Sequence, residues 1–217
     1  MPGTFNGTTL TISATPVDHA LIPDEGATNV AGIAIVGSDM YCVKTTGLKT
    51  TLLKTTDYMA TKATAVKKDL NWFALGLTKI GNYLYMLAED HKGYGGSTTI
   101  VKLDTKGNQL GTYSINEICP KGALGITAAD GTNEKFIIMH YADKSNAGTL
   151  TFSVVDWKAA KAASTFTVTN SGFGYTTQLQ DIYYHTSFGL FILTNNTFST
   201  LQNRIPVSYT HLRAHET

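Results

Sequence analysis

Charge is what this chain has least of. Only 15% of its 217 residues are Asp, Glu, Lys or Arg, where soluble domains carry about 25%. The formal net charge is +1. With no basic surplus to neutralise phosphates, the composition excludes an electrostatic nucleic-acid binder. It equally excludes a polybasic membrane attachment. No apolar run reaches the roughly 18 residues of a membrane-crossing helix. Cysteine is confined to Cys42 and Cys119. Neither sits in a C-x-x-C pair, and both read as buried thiols, although spacing leaves a disulfide open. Met1 to Leu10 has neither the basic start nor the apolar stretch of a secretory signal. The Gly-x-Ser-x-Gly elbow, the phosphate-loop lysine motif and Gly-x-Gly-x-x-Gly are also missing.

What is abundant is threonine, with 34 residues, alongside 20 Gly, 11 Tyr and 9 Phe. β-Branched and aromatic side chains suit a pleated, half-buried surface, so the expectation is an all-β protein. The final residues, Pro206 to Thr217 (PVSYTHLRAHET), stand apart. They resemble the in-frame translation of a transposase-type sequencing-library adapter, codon by codon from Pro206 through Glu216. Such a segment is set aside before fold is argued, and it implies a natural chain cut near Ile205, as in a metagenomic fragment.

The remainder repeats. Ala31-Gly32-Ile33-Ala34-Ile35 leads to Gly37-Ser38 and an apolar stretch. Ala74-Leu75-Gly76-Leu77-Thr78 leads to Gly81-Asn82 and another. Ala123-Leu124-Gly125-Ile126-Thr127 leads to Asp130-Gly131 and a third. Gly32, Gly76 and Gly125 lie 44 and 49 residues apart. A fourth unit starts near Leu179-Gln180-Asp181-Ile182. Within the second unit, Thr98 to Leu103 reads as a third strand, Asp104 to Asn108 as a turn with Gly107 at positive φ, and Gln109 to Ile115 as a fourth strand. The third unit has strands at Thr149 to Asp156 and Ala163 to Val168, with a helical turn conceivable at the Ala/Lys joint between them.

Four strands per 40–50 residues is the pattern of a β-propeller blade. Over residues 30–205 the chain resembles the β-propeller superfamily, without the motif of any one family. The implied fold is a partial propeller of about three to four four-stranded antiparallel blades, with small residues of the innermost strands facing a crowded axis. Two β-sandwiches are the rival, separable by strand order, since sandwiches use Greek-key crossings. Residues 1–29 read as a strand and loop, possibly of another blade, and residues 206–217 as the adapter-derived tail.

The most metal-like cluster, His211 and His215 with Glu216, falls inside that tail and is discounted. The other histidines, His19, His91, His140 and His185, are dispersed. Asp143 to Gly148 has a faint calcium-loop look, but the twelfth position is Val154 rather than Glu. No metal, cofactor or catalytic residue is therefore assigned. By resemblance to the superfamily, ligands meet one face, built from the loops between strands two and three and between blades. That face selects Trp72, Asp90, His91, Tyr94, His140, Tyr141, Asp143 and Tyr175 as ligand-binding candidates, because aromatic rings beside polar groups suit carbohydrate or peptide. Ordinary solvated loops, with Trp72 and Phe73 packing between blades, are the plainer reading. Glu89 and Asp90 are adjacent, so on a strand they point to opposite faces.

The functional expectation is a non-catalytic binding or scaffold module of a larger, bacterial, extracytoplasmic or cell-surface protein. Its partners would be a carbohydrate or protein ligand and the missing blades of its own chain. The alternative is a fragment of a propeller enzyme, a glycosidase or lyase, whose catalytic residues lie mostly elsewhere.

Overall fold

A computed structural model describes residues 3–5, 10–12, 29–56, 63–90, 97–130, 133–141, 149–157, 159, 161–169, 177–185, 189–196 and 207–208. Among them every regular element is a strand. β1 (Gly3–Phe5) and β2 (Leu10–Ile12) pair with each other as a separate sheet. Blade 1 comprises β3 (Asn29–Val36), β4 (Asp39–Thr46), β5 (Lys49–Thr55) and β6 (Thr64–Leu70). Blade 2 comprises β7 (Trp72–Ile80), β8 (Tyr83–Asp90), β9 (Thr98–Leu103) and β10 (Gln109–Ser114). Blade 3 comprises β11 (Ala123–Asp130), β12 (Lys135–Tyr141), β13 (Thr149–Asp156) and β14 (Lys161–Thr169). Blade 4 comprises β15 (Thr177–His185), β16 (Gly189–Asn196) and β17 (Val207–Ser208). β17 falls in the adapter-like segment.

Every sheet is an antiparallel meander in sequence order. No Greek-key crossing joins the described strands, which decides for a propeller over a sandwich. The turns follow local chemistry. Asp104 Oδ1 accepts the backbone N–H of Lys106 and of Asn108, each at 2.8 Å, and Gly107 takes φ 78°. In the Ala/Lys joint of blade 3, Trp157 and Ala159 lie in a turn. Asp156 Oδ1 accepts the Ala159 N–H at 3.1 Å, and β14 begins at Lys161.

Blades 2 and 3 bury both faces, which is why β8 reads Tyr-Leu-Tyr-Met-Leu-Ala without polar alternation. Tyr85, Leu87 and Ile100 of blade 2 pack on Phe136, Ile138 and Val155 of blade 3. The other face of blade 2, with Leu77, Met86 and Val101, packs on Tyr41, Val43 and Leu52 of blade 1. Ile137, Met139 and Phe152 of blade 3 pack on Ile182 and Leu190 of blade 4. Burying each such side chain contributes about 2 kcal/mol.

The innermost strands β3, β7, β11 and β15 stand side by side around an axis. Gly32, Gly76 and Gly125 set their spacing. A Cβ on Gly32 would stand 2.0 Å from the Leu77 nitrogen. On Gly76 it would stand 3.1 Å from Ile126 Cγ2, and on Gly125 3.2 Å from the Ile182 nitrogen. Each glycine thus admits the next inner strand. The N–H groups of Ala128 and Tyr184 are received by Thr78 Oγ1 at 3.2 Å and Thr127 Oγ1 at 3.0 Å, on the preceding inner strand. The bulge lies at Gly32 itself in β3 but one residue earlier, at Leu75, Leu124 and Gln180, in the others. Gly32 accordingly carries φ 63° and the other two need no positive φ.

Candidate functional site

The inner strands all start at one end of the molecule, where β8 and β12 end. Asp181 lies midway along β15, deeper along the axis, and it occupies the fourth position of the glycine series. It follows Gly125 as Gly125 follows Gly76, and it is the member of the four that carries a side chain. The carboxylate turns back over the axis. Its Oδ1 accepts the Ile182 N–H at 2.9 Å and the N–H of Ile126. It lies 3.1 Å from a Cβ placed on Gly125 and 3.7 Å from one placed on Gly76. Three inner strands therefore meet at one carboxyl group. Burial pushes its pKa up from 3.8 to about 7, outweighing the lowering effect of the two N–H donors. Near neutral pH the group is both a hydrogen-bond donor and an acceptor. Sequence reading placed Asp181 at the start of a unit but gave it no role. The signal was there, as an acidic residue where three other units have glycine.

Of the predicted residues, Trp72, Asp90 and His140 are described and stand in different surroundings. Trp72 and Asp90 are directly opposite each other on β7 and β8. Trp72 is half-buried against the core between blades 1 and 2, and its indole Nε1 donates to Gln109 Oε1 at 3.1 Å. Asp90 is partly buried, and its N–H donates to the Ser97 carbonyl at 3.2 Å, closing the base of the loop after β8. Glu89 points to the other face, as alternation requires. It is buried and lies opposite Thr98, with Oε1 3.4 Å from a Cβ placed on Gly122. Phe73 is buried between blades 2 and 3.

His140 is buried in β12. Its Nε2 is 2.9 Å from Ser153 Oγ, which is 3.0 Å from Thr165 Oγ1. Ser153 belongs to the face of blade 3 turned toward blade 2 and is 1% exposed. This Ser–His contact thus satisfies an enclosed imidazole rather than presenting a nucleophile. Sequence reading missed Ser153, because a lone polar residue in Thr-Phe-Ser-Val-Val has no motif. Tyr141 ends β12 opposite Leu150, and its side chain lies outside the described residues. His91, Tyr94, Asp143 and Tyr175 also lie outside them. Both thiols are buried and free, and burial pushes Cys42 up to about 11 and Cys119 up to about 12. Among the described residues no three His, Cys, Asp or Glu side chains converge on a metal position.

No protein-family model and no curated protein matches the chain. Solved structures do. The chain is similar to an exo-β-1,3-galactanase from Phanerochaete chrysosporium, with 12% identity and a TM-score of 0.51 over 77% of this chain and 43% of that one. It is similar to glutaminyl cyclase of Myxococcus xanthus, with 12% identity and a TM-score of 0.49 over 76% of this chain and 67% of that one. It is also similar to the β-propeller domain of Nup133 from Vanderwaltozyma polyspora, with 8% identity and a TM-score of 0.40 over 79% of this chain and 54% of that one. The chain spans between 43% and 67% of the length of these structures. At such identities the likeness is one of fold. Propellers of this shape include enzymes and binding modules alike.

Proposed function

We propose that the chain is part of a non-catalytic binding or scaffold propeller of a larger, bacterial, extracytoplasmic protein, and that its ligand meets the axis at Asp181. The observation that carries this reading is Asp181, a carboxyl group set where three inner strands converge and where the other units place glycine. A carboxyl that is half-protonated near neutral pH suits a ligand rich in hydroxyl or amide groups, hence a carbohydrate or a peptide. Trp72 and Asp90 stand at the end of the blades where the inner strands begin. Calorimetric titration with a panel of oligosaccharides and peptides tests the reading. Binding is expected from the native chain and lost in Asp181→Ala. A ligand bound equally by both proteins would remove Asp181 from the site.

One observation favours a second reading. A carboxyl with a pKa of about 7 is protonated enough at neutral pH to act as a general acid. In a glycosidase or lyase its partner carboxylate would come from elsewhere in a longer protein. Turnover of aryl glycosides by the longer protein, abolished by Asp181→Asn, would select this reading over simple binding.

A further inference from the structure

Equivalent positions of the four blades differ sharply in exposure. Leu77, Ile126 and Ile182 each face the preceding blade and are 2%, 1% and 5% exposed. Ile33 holds the same position in blade 1, one residue after its glycine, and is 64% exposed. The mirror position faces the following blade. There Ala34 and Thr127 are 4% and 3% exposed, whereas Tyr183 of blade 4 is 60% exposed. The axial edges of the first and last blades thus offer the two halves of the interface that joins every other pair.

β15 and β3 come within 8 Å of each other across the opening. Strands two steps apart already approach across this axis, since Asp181 of β15 lies 3.7 Å from a Cβ placed on Gly76 of β7. The opening is therefore no wider than one intervening inner strand, which would leave β15 and β3 two steps apart. A second copy of the chain would bring four sheets to a gap of one.

We infer that the face of blade 1 carrying Ile33 and Ile35 receives a single further blade of the same propeller, whose inner strand presents Gly-x-Thr. The pattern comes from the two complete junctions beyond blade 1. Gly76-Leu77-Thr78 and Gly125-Ile126-Thr127 each place the glycine against the next inner strand and the threonine hydroxyl on that strand's N–H. On blade 1 the incoming glycine would lie against Ile33, and the threonine hydroxyl would take the Ile35 N–H, since Ile35 is the counterpart of Ala128 and Tyr184. A bulkier residue in place of the glycine would be held off, as a Cβ at Gly32 would be.

The test fuses a copy of residues 71–122, a blade of this type with its connecting segment, ahead of Met1, so that residues 1–28 form the linker. Thiol labelling of Ile33→Cys is measured with and without the extension. Cys42 and Cys119 are buried and give little background. Labelling is expected to slow roughly tenfold in the extended chain, and to recover when the copied glycine corresponding to Gly76 is changed to Val. Equal labelling rates would overturn the inference. So would an unextended monomer in which Ile33→Cys and Tyr183→Cys are both protected, because blade 4 would then close directly on blade 1. An unextended dimer with Ile33→Cys protected would also overturn it, by making a second copy the occupant.

Discussion

Gly125 lies so close to Asp181 that a Cβ on the glycine would stand 3.1 Å from the Asp181 Oδ1 and 3.2 Å from its Cα. Neither contact can yield by rotating a flexible chain end, because one involves backbone and the other a carboxylate held by two N–H groups. Gly125→Ala is therefore expected to destabilise the protein by about 1–3 kcal/mol. Gly76→Ala should cost less, since its first contact is the Cγ2 methyl of Ile126. Gly32→Ala should cost most, because it combines a 2.0 Å backbone approach with φ 63°. Urea denaturation of the three variants gives the order, and a Gly76→Ala more damaging than Gly125→Ala would refute the account.

The same carboxyl group predicts a pH dependence. Its folded pKa, about 7, lies above its ordinary value of 3.8. Between those values the native state binds more protons at this site than the unfolded state does. The contribution of Asp181 to stability is thus greatest below about pH 4, declines as pH rises through the window, and levels off above about pH 7. Asp181→Asn removes the titration. The melting temperature of the variant relative to the native protein should rise from pH 4 to about pH 7 and then level off. A difference independent of pH would mean that the carboxyl is not enclosed.

Much of this fold is legible in the sequence, because strands and turns depend on local chemistry. Thr98 to Leu103 occupies the observed bounds of β9, and the Asp104 turn forms around Gly107 as its residues require. Gly32, Gly76 and Gly125 could be aligned because all three answer one steric demand. Asp181 answers a different demand at the same position, so a search for glycines passed over it. The burial of His140 was also hidden. It depends on blade 2 covering the face of blade 3 that carries Ile138 and Val155, and nothing in the residues around His140 records that contact. The loops chosen for their aromatic and acidic residues fall largely outside the described residues, whereas Trp72 proves to be engaged between blades.

A polar latch ties the opposite end of blades 2 and 3. Glu134 has φ 50°, and its Oε1 accepts from both Tyr85 Oη and Lys102 Nζ. The Lys102 ammonium also sits 4.4 Å from the centre of the Tyr83 ring. Glu134→Ala should destabilise by about 2 kcal/mol, because it leaves a partly enclosed hydroxyl and an ammonium unpaired. A double-mutant cycle with Lys102→Ala should give a coupling of about 1 kcal/mol. The Asp39–Lys54 pair, 3.0 Å apart and more exposed than Glu134–Lys102, serves as a control and should couple by less than about 0.5 kcal/mol. Equal coupling in the two cycles would show that the latch contributes no more than a surface ion pair.

Thr98 presents the opposite case, a buried polar atom with no partner among the described residues. Its Oγ1 is enclosed and makes no hydrogen bond to them, although its carbonyl accepts the Ile115 N–H at 2.9 Å. Desolvating a hydroxyl without compensation costs about 1–3 kcal/mol. Valine has nearly the same shape and suits a strand at least as well. Thr98→Val should therefore stabilise the protein, by about 1 kcal/mol once imperfect packing is allowed for, and leave the ligand binding proposed at Asp181 unchanged. Thermal melts and the binding titration, run on one preparation, check both halves. A destabilised variant would mean that the hydroxyl has a partner in solution, most simply a water shared with the neighbouring Glu89, which lies directly opposite on β8.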